Sequence, residues 1–297
     1  MVPLIQQQSV LYRNDFDSIV RSLEAIANSA EIALRTNVIS GLQVRYGDCS
    51  PYPSLTEAQL QFLKDTYSSI SIEYEFFNEN LGSAAGHNRL AQRTEADFLL
   101  IQNPDVIPSP RIYQNLLHPF NFPKVGMTEA KQLPIEHPKD YDQETGDTSW
   151  ASTACALINR GIFQQLEGFD SDAFFLYCDD VDFSWRVRSL GFRVVFQPSA
   201  VVFHDKRLSI DAKWSPTDSE RYYSAEASLL LTYKWSREDL TNEYLAIFEN
   251  SGDVHQVKAA KEFYKKKDQN LLPKQLDETH EIGQFIDYNY AKHRYAL

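Results

Sequence analysis

The sequence predicts an α/β fold, with a mostly parallel sheet flanked by helices and a helical appendage at the C-terminus. Three observations predict it. Short apolar, strand-like segments alternate with segments of helical period through the first half of the chain, the pattern of strands joined by crossover helices. The strand-like segments run into turn residues, as at Gly47-Asp48-Cys49-Ser50 and Asn103-Pro104-Asp105. Beyond residue 216 the sequence turns helical and then highly charged.

Taken in order, residues 4–12 (LIQQQSVLY) read as a strand weakened by three glutamines. Residues 15–34 place Phe16, Ile19, Val20, Leu23 and Ile26 on one helical face, with Asn14 or Asp15 as the cap. Residues 42–46 read as a second strand followed by a turn at GDCSP, residues 56–68 as a helix and residues 71–77 as a third strand. NENLGSAAGHN is then a loop leading into a helix, and residues 97–102 (DFLLIQ) form an apolar strand. Residues 121–150 are polar and carry several prolines, so they read as a long loop that orders on binding. Residues 151–165 return to core character, and 193–203 read as two short strands interrupted at Pro198. Residues 218–249 read as helical, and the chain after 250 lacks an obvious core pattern. The expected division is 1–215 and 216–297.

At 297 residues and 43% hydrophobic, the chain can form one large domain with an appendage. Its net charge of -12 argues against sequence-independent nucleic-acid binding, which needs cations against phosphates. Lys258, Lys261 and Lys265–Lys267 read as a solvated helix face. Cys49, Cys155 and Cys178 are too few and too scattered for a disulfide framework or a metal motif, which points to a reducing compartment. The N-terminus MVPLIQQQSV does not read as a signal peptide, and no window approaches the ~20 apolar residues of a spanning helix. The expectation is a soluble, cytoplasmic protein, compatible with peripheral attachment at the inner face of a membrane.

Four constellations could carry chemistry. Asp105 follows an apolar strand, where open parallel sheets bind ligands, and a carboxylate there suits a divalent cation facing a diphosphate; Asn-Pro-Asp is also ordinary turn chemistry. Asp179-Asp180-Val181-Asp182 opens a short helix that Gly191 would stop. The helix dipole favours ionised carboxylates at that end, and one kept ionised can act as a general base; acids in that place also serve as caps. His204 ends the strand VVF and could ligate a metal, or be merely structural. The small residues of Asn80–Asn88 would let a ligand approach backbone amides, or simply make a tight turn.

In this order the pieces resemble family 2 glycosyltransferases of the GT-A (Rossmann-like) fold, and most closely the rhamnosyltransferase-like branch. The stretch GFDSDAFFLYCDDVDFSWRVRSLGFRVVFQPSAVVFHDK carries most of the resemblance, and NENLGSAAGHN and NPDV match two further motifs. The resemblance covers residues 4 to about 210. It implies inverting transfer of a sugar from a nucleotide diphosphate donor, dTDP-rhamnose or a UDP-sugar, to a glycan or lipid-linked glycan acceptor in surface polysaccharide synthesis. It implies Asp180 as catalytic base, and Asp105 and His204 as ligands of Mn²⁺ or Mg²⁺. Asp48 falls where the family recognises the nucleotide base, and Tyr12, Gly82, Asn88 and Asn103 fall in donor-site segments. Asp179, Asp182, Trp185 and Arg186 fall near the acceptor and diphosphate. Asn103 replaces the first acid of an Asp-x-Asp motif, Asp179 stands where Glu is more usual, and Thr153 stands where Gly is common. The rival readings are a non-catalytic binder of nucleotide sugar or glycan, and a phosphohydrolase. The latter would need a nucleophilic acid after the first strand, and Tyr12-Arg13-Asn14 offers none.

Overall fold

The computed structural model describes residues 2–137, 139–204 and 216–291. The expected boundary at residue 215 lies outside them. The elements run β1 (Leu4–Leu11), α1 (Phe16–Arg35), β2 (Gly41–Asp48), α2 (Glu57–Thr66), β3 (Ser71–Phe76), α3 (Gly82–Ala91), β4 (Phe98–Gln102), β5 (Val106–Pro108) and α4 (Ile112–Leu117). There follow β6 (Val125–Leu133), β7 (Cys155–Asn159), α5 (Arg160–Gln165), α6 (Asp179–Ser189), β8 (Arg193–His204), α7 (Asp218–Lys234), α8 (Glu238–Asn250) and α9 (Val254–Asp268). The strands form one sheet in the order β3-β2-β1-β4-β7-β6-β8-β5. The half β3-β2-β1-β4 is wholly parallel. In the other half β7 runs antiparallel to β4 and β6, β6 and β8 are parallel, and β5 is antiparallel to β8.

The glutamines of β1 are structural. Gln6 donates to Gln8 Oε1 and to the Leu90 carbonyl, Gln8 donates to the His87 carbonyl, and the Tyr113 hydroxyl donates to Gln7 Oε1. Buried amides are tolerated when partnered in this way, and they fasten β1 to α3. Asp15, not Asn14, caps α1 by accepting from Ser18 N–H.

Three expectations are corrected. Residues 121–150 are not one loop, because Val125–Leu133 forms a strand between β7 and β8. Its buried residues include Thr128, Glu129 and Gln132, whose polarity hid the strand. The segment 193–203 is one strand, not two, with a register shift opposite Ala130/Lys131 that absorbs Pro198. The chain after 250 does contribute to the core, because α9 buries Ala259, Ala260 and Phe263.

One apolar cluster joins Val181 and Trp185 of α6 to Leu230 and Trp235 of the α7 segment, Phe248 of α8 and Phe263 of α9. The C-terminal helices are thus packed directly on α6. The three cysteines are free and buried. Lys258, Lys261 and Lys265–Lys267 lie on α9, where Lys265 and Lys266 pair with Glu262 and Glu226. Among the described residues no helix is long and apolar enough to cross a membrane.

Candidate active site

The acidic run sits at the start of α6 because the chain turns sharply before it. Tyr177 and Cys178 both adopt left-handed backbone, with φ of 69° and 57°. Non-glycine residues held there cost about 1–3 kcal/mol each, and such strain concentrates at functional sites. Cys178, not an aspartate, occupies the N-cap position, and its side chain makes no capping hydrogen bond. The acids therefore lie inside the first turn of α6, and the capping reading of the run does not hold.

Asp180 is half-buried. Its Oδ1 accepts from Val181 N–H at 2.8 Å and its Oδ2 from Thr153 N–H at 3.4 Å. Asp179 is 4% exposed, its Oδ2 has no partner among the described residues, and it is hydrogen-bonded by the Ser83 side chain. Burial raises both carboxyls above the ordinary carboxylate range, and the charge of Asp180 raises Asp179 further. Hydrogen bonds and the charge of Lys139 oppose the rise at Asp180.

Asp182 has a different setting. It is fully buried, and its oxygens meet Lys234 Nζ at 2.7 Å, Arg186 Nε at 2.8 Å and Trp235 Nε1 at 3.0 Å. Arg186 also donates to the carbonyls of Leu166 and Gly168. Trp185 is 0% exposed and packs edge-on against Trp235 and Phe285. These three residues brace α6 from within.

Asp105 and His204 are brought together by the pairing of β5 with β8, in which Val106 lies opposite His204. Asp105 Oδ1 lies 3.4 Å from His204 Nε2, with the Asp105 side chain 42% exposed. His204 Nδ1 is 2.8 Å from Gln132 Oε1. In the tautomer whose Nδ1–H donates to the Gln132 oxygen, Nε2 presents its lone pair beside the carboxylate. That is the donor set and outer-shell support of a metal-binding imidazole, so these residues fit a divalent cation. No third His, Cys, Asp or Glu joins them among the described residues.

Hydrogen bonds tie the motifs to one another. Asn103 N–H donates to the Ala154 carbonyl, next to Thr153, whose N–H reaches Asp180. Ser83 N–H donates to the Phe175 carbonyl while its side chain meets Asp179. Gly82, at φ +70°, lies so close to Phe175 that an added Cβ would come within 2.8 Å of its ring. Tyr12, 48% exposed, stands beyond the end of β1 with the Arg13 guanidinium 5.3 Å from its ring centroid.

Two residues expected at the donor site have partners within the chain. Asp48 is fully buried, and it accepts from Ser50 N–H, Ser54 N–H and the Tyr74 hydroxyl. Burial raises this carboxyl, but those donors outweigh it and hold it below its ordinary value. Asp48 thus folds the 49–54 loop. Asn88 spends both ends of its amide on the Phe169 backbone, at 2.7 and 2.8 Å. The structure adds a group that sequence reasoning missed, the buried Glu129–Lys139 pair. Its only signal was a Glu and a Lys in a stretch read as loop.

No family model matches the chain. Over 117 residues it is 33% identical to the N-acetylglucosaminyl-diphospho-decaprenol L-rhamnosyltransferase of Mycobacterium tuberculosis, in the strains CDC 1551 and H37Rv alike. The match spans 36% of this chain and 36% of the length of those curated relatives. Among solved structures, the mannosyltransferase PcManGT from Pyrobaculum calidifontis, in complex with GDP-Man and Mn²⁺, matches with a TM-score of 0.58 and 16% identity over 91% of this chain and 81% of that one. GalNAc-T7 with UDP, GalNAc and Mn²⁺ matches with a TM-score of 0.65 and 13% identity over 95% and 57%. TarS of S. aureus matches with a TM-score of 0.52 and 11% identity over 88% and 43%. The chain has the GT-A glycosyltransferase fold, and in sequence and fold together it resembles the rhamnosyltransferase-like glycosyltransferases of family 2.

Proposed function

We propose that the protein is an inverting glycosyltransferase. It moves a sugar, rhamnose or another hexose, from a nucleotide diphosphate donor to a hydroxyl of a glycan or lipid-linked glycan, in surface polysaccharide synthesis. One observation carries the reading. A half-buried carboxylate, Asp180, is joined through Thr153, Ala154 and Asn103 to the strand end that carries Asp105 and His204. This linkage through the ends of β4 and β7 supports reading Asp180 as proton acceptor and Asp105 and His204 as metal ligands of one site. The rhamnosyltransferase name of the curated relative and the nucleotide-sugar and Mn²⁺ complexes of the structural neighbours support it.

Asp105 and His204 would hold the divalent cation, Mn²⁺ or Mg²⁺. When bound, the cation supplies charge neutralisation to the donor diphosphate and its leaving group. Tyr12 offers an exposed ring for the nucleoside. Gly82 and Ser83 shape the wall of the donor site. Asp180 takes the acceptor hydroxyl proton as that oxygen attacks the anomeric carbon, and inversion follows from a single displacement. The burial that raises Asp180 makes it a stronger proton acceptor than a free carboxylate, and the opposing hydrogen bonds moderate that rise. Asp48, Asn88, Asp182, Trp185 and Arg186 serve as scaffold for these groups.

Calorimetry with a panel of nucleoside diphosphates and nucleotide sugars, each with Mn²⁺ or Mg²⁺, tests the reading. Metal-dependent binding of at least one is expected. No binding across the panel would count decisively against it.

A further inference from the structure

The stretch between β6 and β7 holds a buried cation that the mechanism above does not use. Lys139 has a side chain only 2% exposed, and its ammonium pairs with the fully buried Glu129 of β6. It also donates to the Trp150 carbonyl at 3.3 Å and stands 3.8 Å from the centroid of the Trp150 ring. Trp150 is itself buried, with His137 and Tyr290 packed edge-on against it. Such burial is costly for a lysine unless its charge has a use or a full partner. Burial pushes Glu129 up to about 8 despite the pull of Lys139, and Glu129 Oε1 has no partner among the described residues.

The short segment after Trp150 connects this cation to the acidic run. Ala151 N–H meets Ser184 Oγ, Ser184 Oγ–H donates to the Asp180 carbonyl, and Thr153 N–H donates to the Asp180 carboxylate. We propose that Lys139 is a positioning residue for Asp180, a buried ammonium that offsets the negative charge of the Asp179–Asp180 pair and keeps Asp180 able to accept a proton. The inference rests on the reading of Asp180 as the base.

The groups that face Asp180 are Asp179 on its own helix, Lys139 from the 134–150 stretch and the neutral N–H donors of Thr153 and Val181. Glu129 from β6, with Glu136 acting on it, faces Lys139, and α3 contributes the uncharged Ser83. Among the described residues Lys139 is a cation whose charge lowers the Asp180 carboxyl. Removing it leaves only the hydrogen bonds, chiefly those from the Val181 and Thr153 N–H groups, to oppose burial and the charge of Asp179.

The test is the titration of the Asp180 side chain by carbon-13 carboxyl NMR, with the resonance assigned by difference from Asp180→Asn. It is read in wild type and in Lys139→Met, which keeps the length of the side chain and drops the charge. The expected result is an upward shift of the Asp180 midpoint in Lys139→Met. In turnover, the ratio of kcat at pH 8 to kcat at pH 6 rises roughly threefold or more, while donor KM holds. Lys139→Arg restores the wild-type midpoint. Should Lys139→Met fail to fold, Lys139→Met/Glu129→Gln leaves no orphan charge and carries the same expected shift. An unchanged Asp180 midpoint in either folded variant overturns the proposal. The titration needs no donor, so a wild type that transfers nothing would sink the enzymatic reading while this result still decided the role of Lys139.

Discussion

The two sides of the first turn of α6 carry the same side chain in opposite settings. On the core side Asp182 is fully buried and meets Lys234, Arg186 and Trp235. On the other side Asp180, half-buried, receives only backbone N–H groups. Asp182 is spent on two cations and an indole, whereas burial raises the Asp180 carboxyl and leaves it two backbone donors. The partners, rather than the position in an acidic motif, mark Asp182 as structural and Asp180 as the proposed base. They also give the C-terminal helices a task, because Lys234 and Trp235 at the end of α7 reach across to α6.

The contrast can be broken first on the core side. Lys234→Met would leave Asp182 and Asp170 without the cation that pairs with both, at 2.7 and 2.6 Å. Loss of one partner of a buried pair costs about 3–5 kcal/mol. Urea unfolding should show a loss of that size, and a change under about 1 kcal/mol would mean that the core-side ligation is not structural.

At the metal-ligand edge, Asp105→Ala and His204→Ala should each weaken Mn²⁺-dependent nucleotide binding by about tenfold or more. Stability should barely change for Asp105→Ala, because that side chain is 42% exposed. Calorimetry with and without metal distinguishes this from a general loss of binding. Wild-type affinity in both variants would remove the shared-metal idea.

The smallest effect concerns pH. Asp179 is raised by burial and by the charge of Asp180, so its folded form binds a proton more tightly than its unfolded form. Such a group destabilises the fold increasingly as pH rises from the ordinary carboxylate value through the raised one. Asp179→Asn should therefore match wild type near pH 4 and gain on it progressively toward neutral pH. Thermal melts across that range would show the gap opening, and a gap that is constant with pH would contradict the account.

Much of this arrangement was legible in the chain. The period of α1, the strand ends after β1 and β4, and the carboxylate–imidazole pair Asp105–His204 follow from local pattern and the resemblance. What escaped was polar burial. β6 hides behind Thr128, Glu129 and Gln132, which read as surface until the sheet covers them. β1 looked weak because its glutamines are partnered by α3 and Tyr113, contacts of high sequence separation. Asp48 looked like a ligand because the bonds that occupy it come from the loop that it folds and from Tyr74 of β3. The fate of Asp182 depended on Lys234 and Trp235, 52 and 53 residues away. No local window contains such partners.

The most direct measurement of the central claim is single-turnover transfer by Asp180→Asn beside wild type, with fold and donor affinity checked for both. Asparagine keeps the shape and much of the local hydrogen bonding and removes the proton acceptor. Transfer is predicted to fall by about 10²–10⁴-fold with melting temperature and nucleotide affinity unchanged. A folded, donor-binding Asp180→Asn protein that transfers at a near-normal rate would contradict the assignment of Asp180 as the base.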